Sequence, residues 1–368
     1  MSMQALLEPL DRAGLDAALA RIAAGADELD RHPAFPHLAF GELASAGVLG
    51  ATLPGSDGRR NPFADELRLV REVSRADGSV GRILDGHFNA VERLTVACPG
   101  ALSEGERGQI AVGELLLGVW GADPAPGEGE PAVLREEHGQ TTLRGVKTFC
   151  SGAGGVQRAL VVARDDGGER RLAYVETTGD AITVDRSWYR GEGLRASESH
   201  RVLFEGAPVV AVLGGPNEAS REPWFSRDAI RTSATWAGIA DGVLEATLAF
   251  LRERQRGSHE RPSEIAALAA GRMRVAVATI DRWLDHAAER AGTDEPLAGT
   301  AIEARWAIAA AARELAAEAA LACGSRPLAT GGALSRGRRD LDLFLLQHRL
   351  EPLLARHGAA AILEGEGR

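Results

Sequence analysis

The chain is expected to fold as an α+β protein. A helical domain should cover 1–115, a small antiparallel β-barrel or sandwich 116–214, and a four-helix bundle 215–368. Three observations predict this. Apolar residues recur at helical spacing in the first part, and short β-branched runs separated by Gly-rich turns fill the middle. Long Ala-rich amphipathic stretches make up the last part, as close helix packing requires. With 368 residues, the chain is long enough for two or three cooperating domains.

The first segment carries one stripe through Leu15, Ala18, Leu19, Ile22 and Ala23 and a second through Leu67, Val70, Val73 and Ser74. Pro33, Pro36, Pro54 and Pro62 punctuate the joints. A further helix opens at Ser79-Val80-Gly81 and runs through Ile83, Leu84 and Phe88. In the middle segment, 141–146 and Ala159–Ala163 have strand composition. Asp165-Asp166-Gly167-Gly168 reads as the turn into a strand over Arg171–Glu176, and Val202–Phe204 and Val209–Leu213 read as two more. Beyond Gly214-Gly215-Pro216, Ile230–Arg254, Ser263–Arg290 and Ala298–Cys323 are predicted as long helices.

Composition narrows the function. A net charge of −10, with arginines scattered among acids, argues against nucleic acid, because phosphate binding needs clustered cations. The three cysteines, Cys98, Cys150 and Cys323, are odd in number and far apart, so a disulfide framework is not expected. No Cys-x-x-Cys or His-Glu-x-x-His spacing suggests a metal site. With no run of 18 apolar residues, no membrane association is expected and a cytoplasmic location is the default.

The segments Lys147-Thr-Phe149-Cys150-Ser151-Gly152, Gly191-Glu-Gly-Leu-Arg195-Ala-Ser-Glu-Ser199 and Arg338-Arg339-Asp340-Leu341 fall in an order that resembles the acyl-CoA dehydrogenase superfamily of flavoenzymes, over nearly the whole chain. The resemblance implies FAD, or alternatively diffusible reduced FMN. It places the Ser151 hydroxyl near flavin N5, where a donor stabilises charge gained on reduction, and Phe149 as a flanking ring. It puts Trp120 and Gly121 in the preceding flavin loop, which here lacks the family's Glu and terminal Ser. Arg254, with Arg252 and Arg256 beside it, falls where members reach the pyrophosphate of a neighbouring subunit's FAD, and Gly324 at the turn before the last helices.

The family's catalytic Glu is missing. Counting from Arg339, His348 occupies its place, while Asp228 falls near an alternative base position on the first bundle helix. His348 together with His87 resembles the dibenzothiophene monooxygenase-like branch, in which imidazole would manage protons beside the flavin. Three readings follow. One is an acyl-CoA-type dehydrogenase passing hydride to flavin with an atypical base; another is a two-component monooxygenase using reduced flavin and O2. The third is a non-catalytic family member. The first two imply a small-molecule or acyl-CoA substrate and an electron-transfer flavoprotein or flavin reductase as partner. The bundle implies a homodimer or homotetramer.

Overall fold

The structure, a computed structural model, describes residues 11–55, 57–137, 139–256, 261–347 and 349–364. Helix α1 (Arg12–Arg31) buries Leu15, Ala18, Leu19, Ile22 and Ala26, one helical face. After α2 (His37–Ser45), α3 (Phe63–Ala76) turns its Leu67–Val70–Val73 stripe inward. In α4 (Gly78–Glu92) every residue is buried, and Asp77 caps its start by accepting from the Val80 N–H at 2.9 Å. The α3–α4 contact is so close that a Cβ on Gly81 would sit 2.0 Å from Ser74 Oγ, so only glycine fits. A π-helical turn (Arg93–Ala97) and α5 (Glu104–Ala111), with its Ser103/Glu106 capping box, lead into the sheet.

Seven strands follow: β1 (Leu117–Trp120), β2 (Val133–Glu137), β3 (Gln140–Cys150), β4 (Arg158–Arg164), β5 (Arg170–Glu176), β6 (Ile182–Asp185) and β7 (His200–Leu213). They lie in the order β1-β4-β2-β3-β7-β5, with β6 on β7 and a further β4–β5 pairing. This corrects the expected antiparallel barrel. β4 runs parallel to both β1 and β2, so the sheet is mixed, and β2 meets β4 at the single pair Val133–Arg164, so no continuous ladder closes it. The two strands expected at Val202–Phe204 and Val209–Leu213 are one bent strand. Gly206, at φ 89°, accompanies a register shift opposite Leu143/Arg144 and lets β7 pass from β3 to β5.

The last part packs α6 (Trp224–Gln255), α7 (Glu264–Ala291) and α8 (Ala298–Cys323) side by side, with α10 (Ala333–Phe344) against α6 and α8. The short α9 (Arg326–Thr330) precedes α10, and α11 (Glu351–Glu364) ends the described chain. α6 is long and apolar enough, by length and composition, to cross a membrane. Here it is the central core helix and carries the buried Arg227 and Arg231. α3 crosses it so closely that a Cβ on Gly238 would lie 2.1 Å from the Arg71 carbonyl oxygen.

Candidate active site

Strand β3 ends in a strained turn. Phe149 has φ 51°, a left-handed conformation that costs an L residue about 1–3 kcal/mol. Its ring stays 49% exposed and meets Trp188 edge-on at 4.9 Å. Two more non-glycine residues with positive φ, Leu194 and Glu198, flank a short helical turn (Arg195–Ser197) packed beside this loop. Backbone bonds from Gly152 N to Ser197 O (2.8 Å) and Ala153 N to Glu198 O (3.1 Å) lock the two segments together. Leu194 N donates to Asp340 Oδ1 at 2.6 Å, tying the turn to α10.

This juxtaposition lines up three buried hydroxyls. Ser151 Oγ lies 2.9 Å from Ser199 Oγ, which lies 2.7 Å from Ser197 Oγ. Trp120 Nε1 donates to the Ser151 carbonyl at 3.0 Å, so its ring is buried against Phe204 and positions the loop from behind. Gly121 contributes its carbonyl to Lys147 Nζ (3.0 Å), and Lys147 also meets Asp123 at 2.7 Å. Burial pulls the Lys147 pKa down and Asp123 holds it up.

Tyr189 and His200 extend the polar surface. Tyr189 donates to Gly193 O at 2.8 Å, and burial raises its pKa, with Asp340 adding to the effect. His200 faces Tyr189 edge-on and has Glu198 Oε1 3.2 Å from Nε2, yet burial and then Arg186 pull it down to about 4. Glu198 is itself ion-paired to Arg186, so its charge is already engaged. His200 is therefore a neutral ring near pH 7.

Between them α3, α4 and α6 enclose an ion-paired interior. Arg231, fully buried, spans Glu66 (2.6 Å), Glu92 (2.7 Å) and the Asn89 amide oxygen (2.9 Å). Arg60 and Arg227 also reach Glu92, and Arg227 lies 3.8 Å over the Phe63 ring. Asn89 donates to Asp85, which Arg82 (2.8 Å) and Thr232 (3.1 Å) also hold. Arg305 from α8 is buried near Asp85, whose charge partly offsets the cost of burying it. Among the described residues, Arg60, Arg82, Arg93, Arg227, Arg231 and Arg305 face four carboxylates, Glu66, Asp85, Glu92 and Asp228. Asp77, Glu198, Glu218 and Asp340 are buried as well, so over the described residues the buried carboxylates are at least as numerous as the buried cations.

The residues expected at the site separate into groups. Phe149, Ser151, Trp120 and Gly121 come together. His87 does not face them: Leu117 N–H donates to its Nδ1 (3.1 Å), leaving Nε2 protonated and bonded to Leu49 O (3.1 Å). Burial holds it at about 4, so it is a neutral cross-brace between α4, β1 and the Leu49 loop, with no nitrogen free to pass a proton. Asp228 is raised to about 7 by burial, but Arg93 grips its Oδ2 at 2.6 Å and 3.0 Å, so the carboxylate is engaged at the outer edge of the ion network. Arg254 is exposed at the opposite end of α6, about 39 Å along the axis from Asp228. Gly324, exposed at φ 73°, ends α8 at that same far end. His348 lies outside the described residues. Sequence reasoning missed Arg82, Asp85, Tyr189, His200 and Arg305. The one available signal was Arg305, a charge inside the buried Ala301–Ala304–Ile308–Ala312 stripe.

A helical layer, a mixed sheet and a helical bundle meet at a strained hydroxyl-bearing turn, and this is the acyl-CoA dehydrogenase-like fold. The chain is similar to members of that flavoprotein superfamily. No family model matches it. Over 267 residues it is 31% identical to L-evernosamine nitrososynthase of Micromonospora sp., covering 66% of this chain and 61% of that one. It is 28% identical over 240 residues to the dibenzothiophene monooxygenase of Rhodococcus erythropolis, covering 58% of this chain and 56% of that one, so it spans little more than half the length of that relative. Among solved structures, KijD3 in complex with FMN and a dTDP-linked amino sugar superposes with TM-score 0.82 at 21% identity, over 98% of this chain and 97% of that one. Butyryl-CoA dehydrogenase from Megasphaera elsdenii does so with TM-score 0.81 at 18% identity, over 97% and 99%. The two superpositions show the fold.

Proposed function

We propose that this protein is a flavin-dependent monooxygenase that takes reduced FMN, or alternatively FAD, from a separate reductase. The observation that carries this reading is the ion-paired interior between α3, α4 and α6. An acyl-CoA dehydrogenase must bury an aliphatic chain next to its flavin, and apolar walls suit that task. Here α4 and α6 bury Arg82, Asp85, Asn89, Arg231 and Thr232 against one another, a polar interior in place of the apolar walls an acyl chain needs. The named relatives, a nitrososynthase and a sulfur-compound monooxygenase, support the same choice.

The residues present fit a planar aromatic cofactor. Phe149 is a ring held half-exposed by a strained backbone, and the Ser151 hydroxyl stands next to it with Ser199 and Ser197 behind. When bound, a flavin would supply the electrons and the O2 chemistry. The chain's own contribution is positional. Phe149 would flank the ring, and Ser151 Oγ would hold a proton at its edge, with the serine chain able to reorient behind it. Tyr189 and the neutral His200 would limit water entry. His348 remains the proposed proton-handling residue, and Arg254 and Gly324 are proposed to reach a flavin only across a subunit contact. The exposed apolar side chains Ile265, Leu268 and Val275 on α7 and Leu321 on α8 support a homodimer or homotetramer.

The test is the protein's response to acyl-CoA and to oxygen. The monooxygenase reading expects little oxidised flavin to co-purify, no anaerobic bleaching by acyl-CoA, and O2-dependent turnover only when reduced flavin is supplied. Stoichiometric FAD bleached by an acyl-CoA without oxygen would establish the dehydrogenase instead.

A further inference from the structure

Arg305 is a buried member of the interior ion network that makes no hydrogen bond or ion pair among the described residues. It is 6% exposed, and its Nε and Nη2 are buried with no hydrogen-bond partner among the described residues. The nearest compensating charge is Asp85, but that carboxylate is already engaged by Arg82, Asn89 and Thr232 and makes no ion pair with Arg305. Burial pulls the guanidinium's pKa down to about 10, which still leaves it charged near neutrality. Aromatic rings frame it. Arg305 lies 5.0 Å over Trp236, which meets Phe344 edge-on at 6.1 Å, and Arg82 lies 5.6 Å over Phe344. Among the described residues, the buried Trp236 Nε1 also has no hydrogen-bond partner, and neither has Thr235 Oγ1.

Unused donors of one sign, buried together beside two rings, destabilise a fold unless something accepts from them. A guanidinium fork with two free N–H edges matches the two oxygens of a carboxylate. Asp85 is held by Arg82, Asn89 and Thr232, so an incoming carboxylate would give Arg305 the direct counter-ion it lacks. We propose that Arg305 is the receptor for a carboxylate carried by the substrate, with Trp236 and Phe344 as the walls of its binding site. The substrate class is then a small carboxylate with a planar apolar body. Calling this ligand the substrate rests on the monooxygenase reading; anion binding itself does not.

The experiment uses benzoate as the probe, with benzamide as its neutral isostere, on the flavin-free full chain. Calorimetric titration and thermal melts are run on the wild type, R305M and R305K. The expected result is benzoate binding and a raised melting temperature in the wild type, with no response to benzamide. R305M should melt higher than the wild type without ligand, because a buried unpaired cation is gone, and should bind benzoate at least tenfold more weakly. R305K keeps a charge but loses the fork, so it should fall between; it serves as the variant should R305M not fold. Benzoate bound equally by R305M, or not bound by the wild type, would overturn the proposal. With flavin absent throughout, failure here leaves the oxygen-dependent turnover test unaffected, and failure of that test leaves a benzoate result standing.

Discussion

The two sides of the candidate site hold their functional groups by opposite means. On the sheet side, Phe149, Leu194 and Glu198 adopt left-handed backbone conformations, while the groups they present are neutral hydroxyls that satisfy one another. On the helical side, α4 and α6 are regular and unstrained, and the cost lies in buried charge: guanidiniums and carboxylates interleave, and Arg305 makes no hydrogen bond or ion pair among the described residues. In the proposed reading, local strain marks where a ring would be placed and an unpaired guanidinium where an anion would be received. The two kinds of cost should respond differently to mutation.

The largest effect is expected on the charged side. Arg231→Met removes the cation between Glu66 and Glu92 and should cost about 3–5 kcal/mol in denaturant unfolding, since it leaves buried carboxylates facing each other. A loss below about 1 kcal/mol would mean the interior is better hydrated than its burial indicates. Next comes pH. The folded state holds His87 at about 4 against 6.5 unfolded, so the folded chain binds fewer protons between these values. Its contribution is present above pH 6.5 and is lost as pH falls to 4, a change of roughly 3 kcal/mol. Asp340, raised to about 7, acts with the opposite sign and contributes less as pH rises through 7. The check is therefore the difference between wild type and His87→Gln across pH 4–6.5; a constant difference would show that His87 is not the titrating group.

The sheet side should yield smaller stability changes and larger functional ones. Ser151→Ala breaks the hydroxyl chain and should cost about 1 kcal/mol in thermal unfolding but at least tenfold in turnover. Equal losses in both would make Ser151 a packing residue. Phe149→Gly relieves the left-handed strain and gives up the edge contact with Trp188, so stability should move by less than about 1 kcal/mol. Flavin affinity should drop in that variant if the ring flanks the cofactor.

The helices were legible in the sequence because their apolar stripes repeat locally. The stretch expected at Ala298–Cys323 is helix α8 with those bounds. The sheet was legible strand by strand but not in its pairing. Nothing in Leu117–Trp120 announces a parallel partner at Arg158–Val161, and the two strands expected at Val202–Phe204 and Val209–Leu213 are one strand bulged at Gly206. At the site, the Lys147–Ser151 loop was readable from its residue order. The ion network was not, because its pairs join residues 135 and 165 positions apart, beyond any local spacing rule. His87 shows the converse. Its place in the sequence suggested chemistry, and only the tertiary contacts to Leu49 and Leu117 reveal that both nitrogens are occupied.

The central claim is that the strained turn and the hydroxyls beside it receive reduced flavin. It is tested most directly by anaerobic fluorescence titration of the wild type and Phe149→Gly with chemically reduced FMN. The account predicts saturable binding of reduced FMN that is much tighter than that of oxidised FMN and is weakened in the variant. No binding of reduced FMN, or identical binding by both proteins, would contradict it.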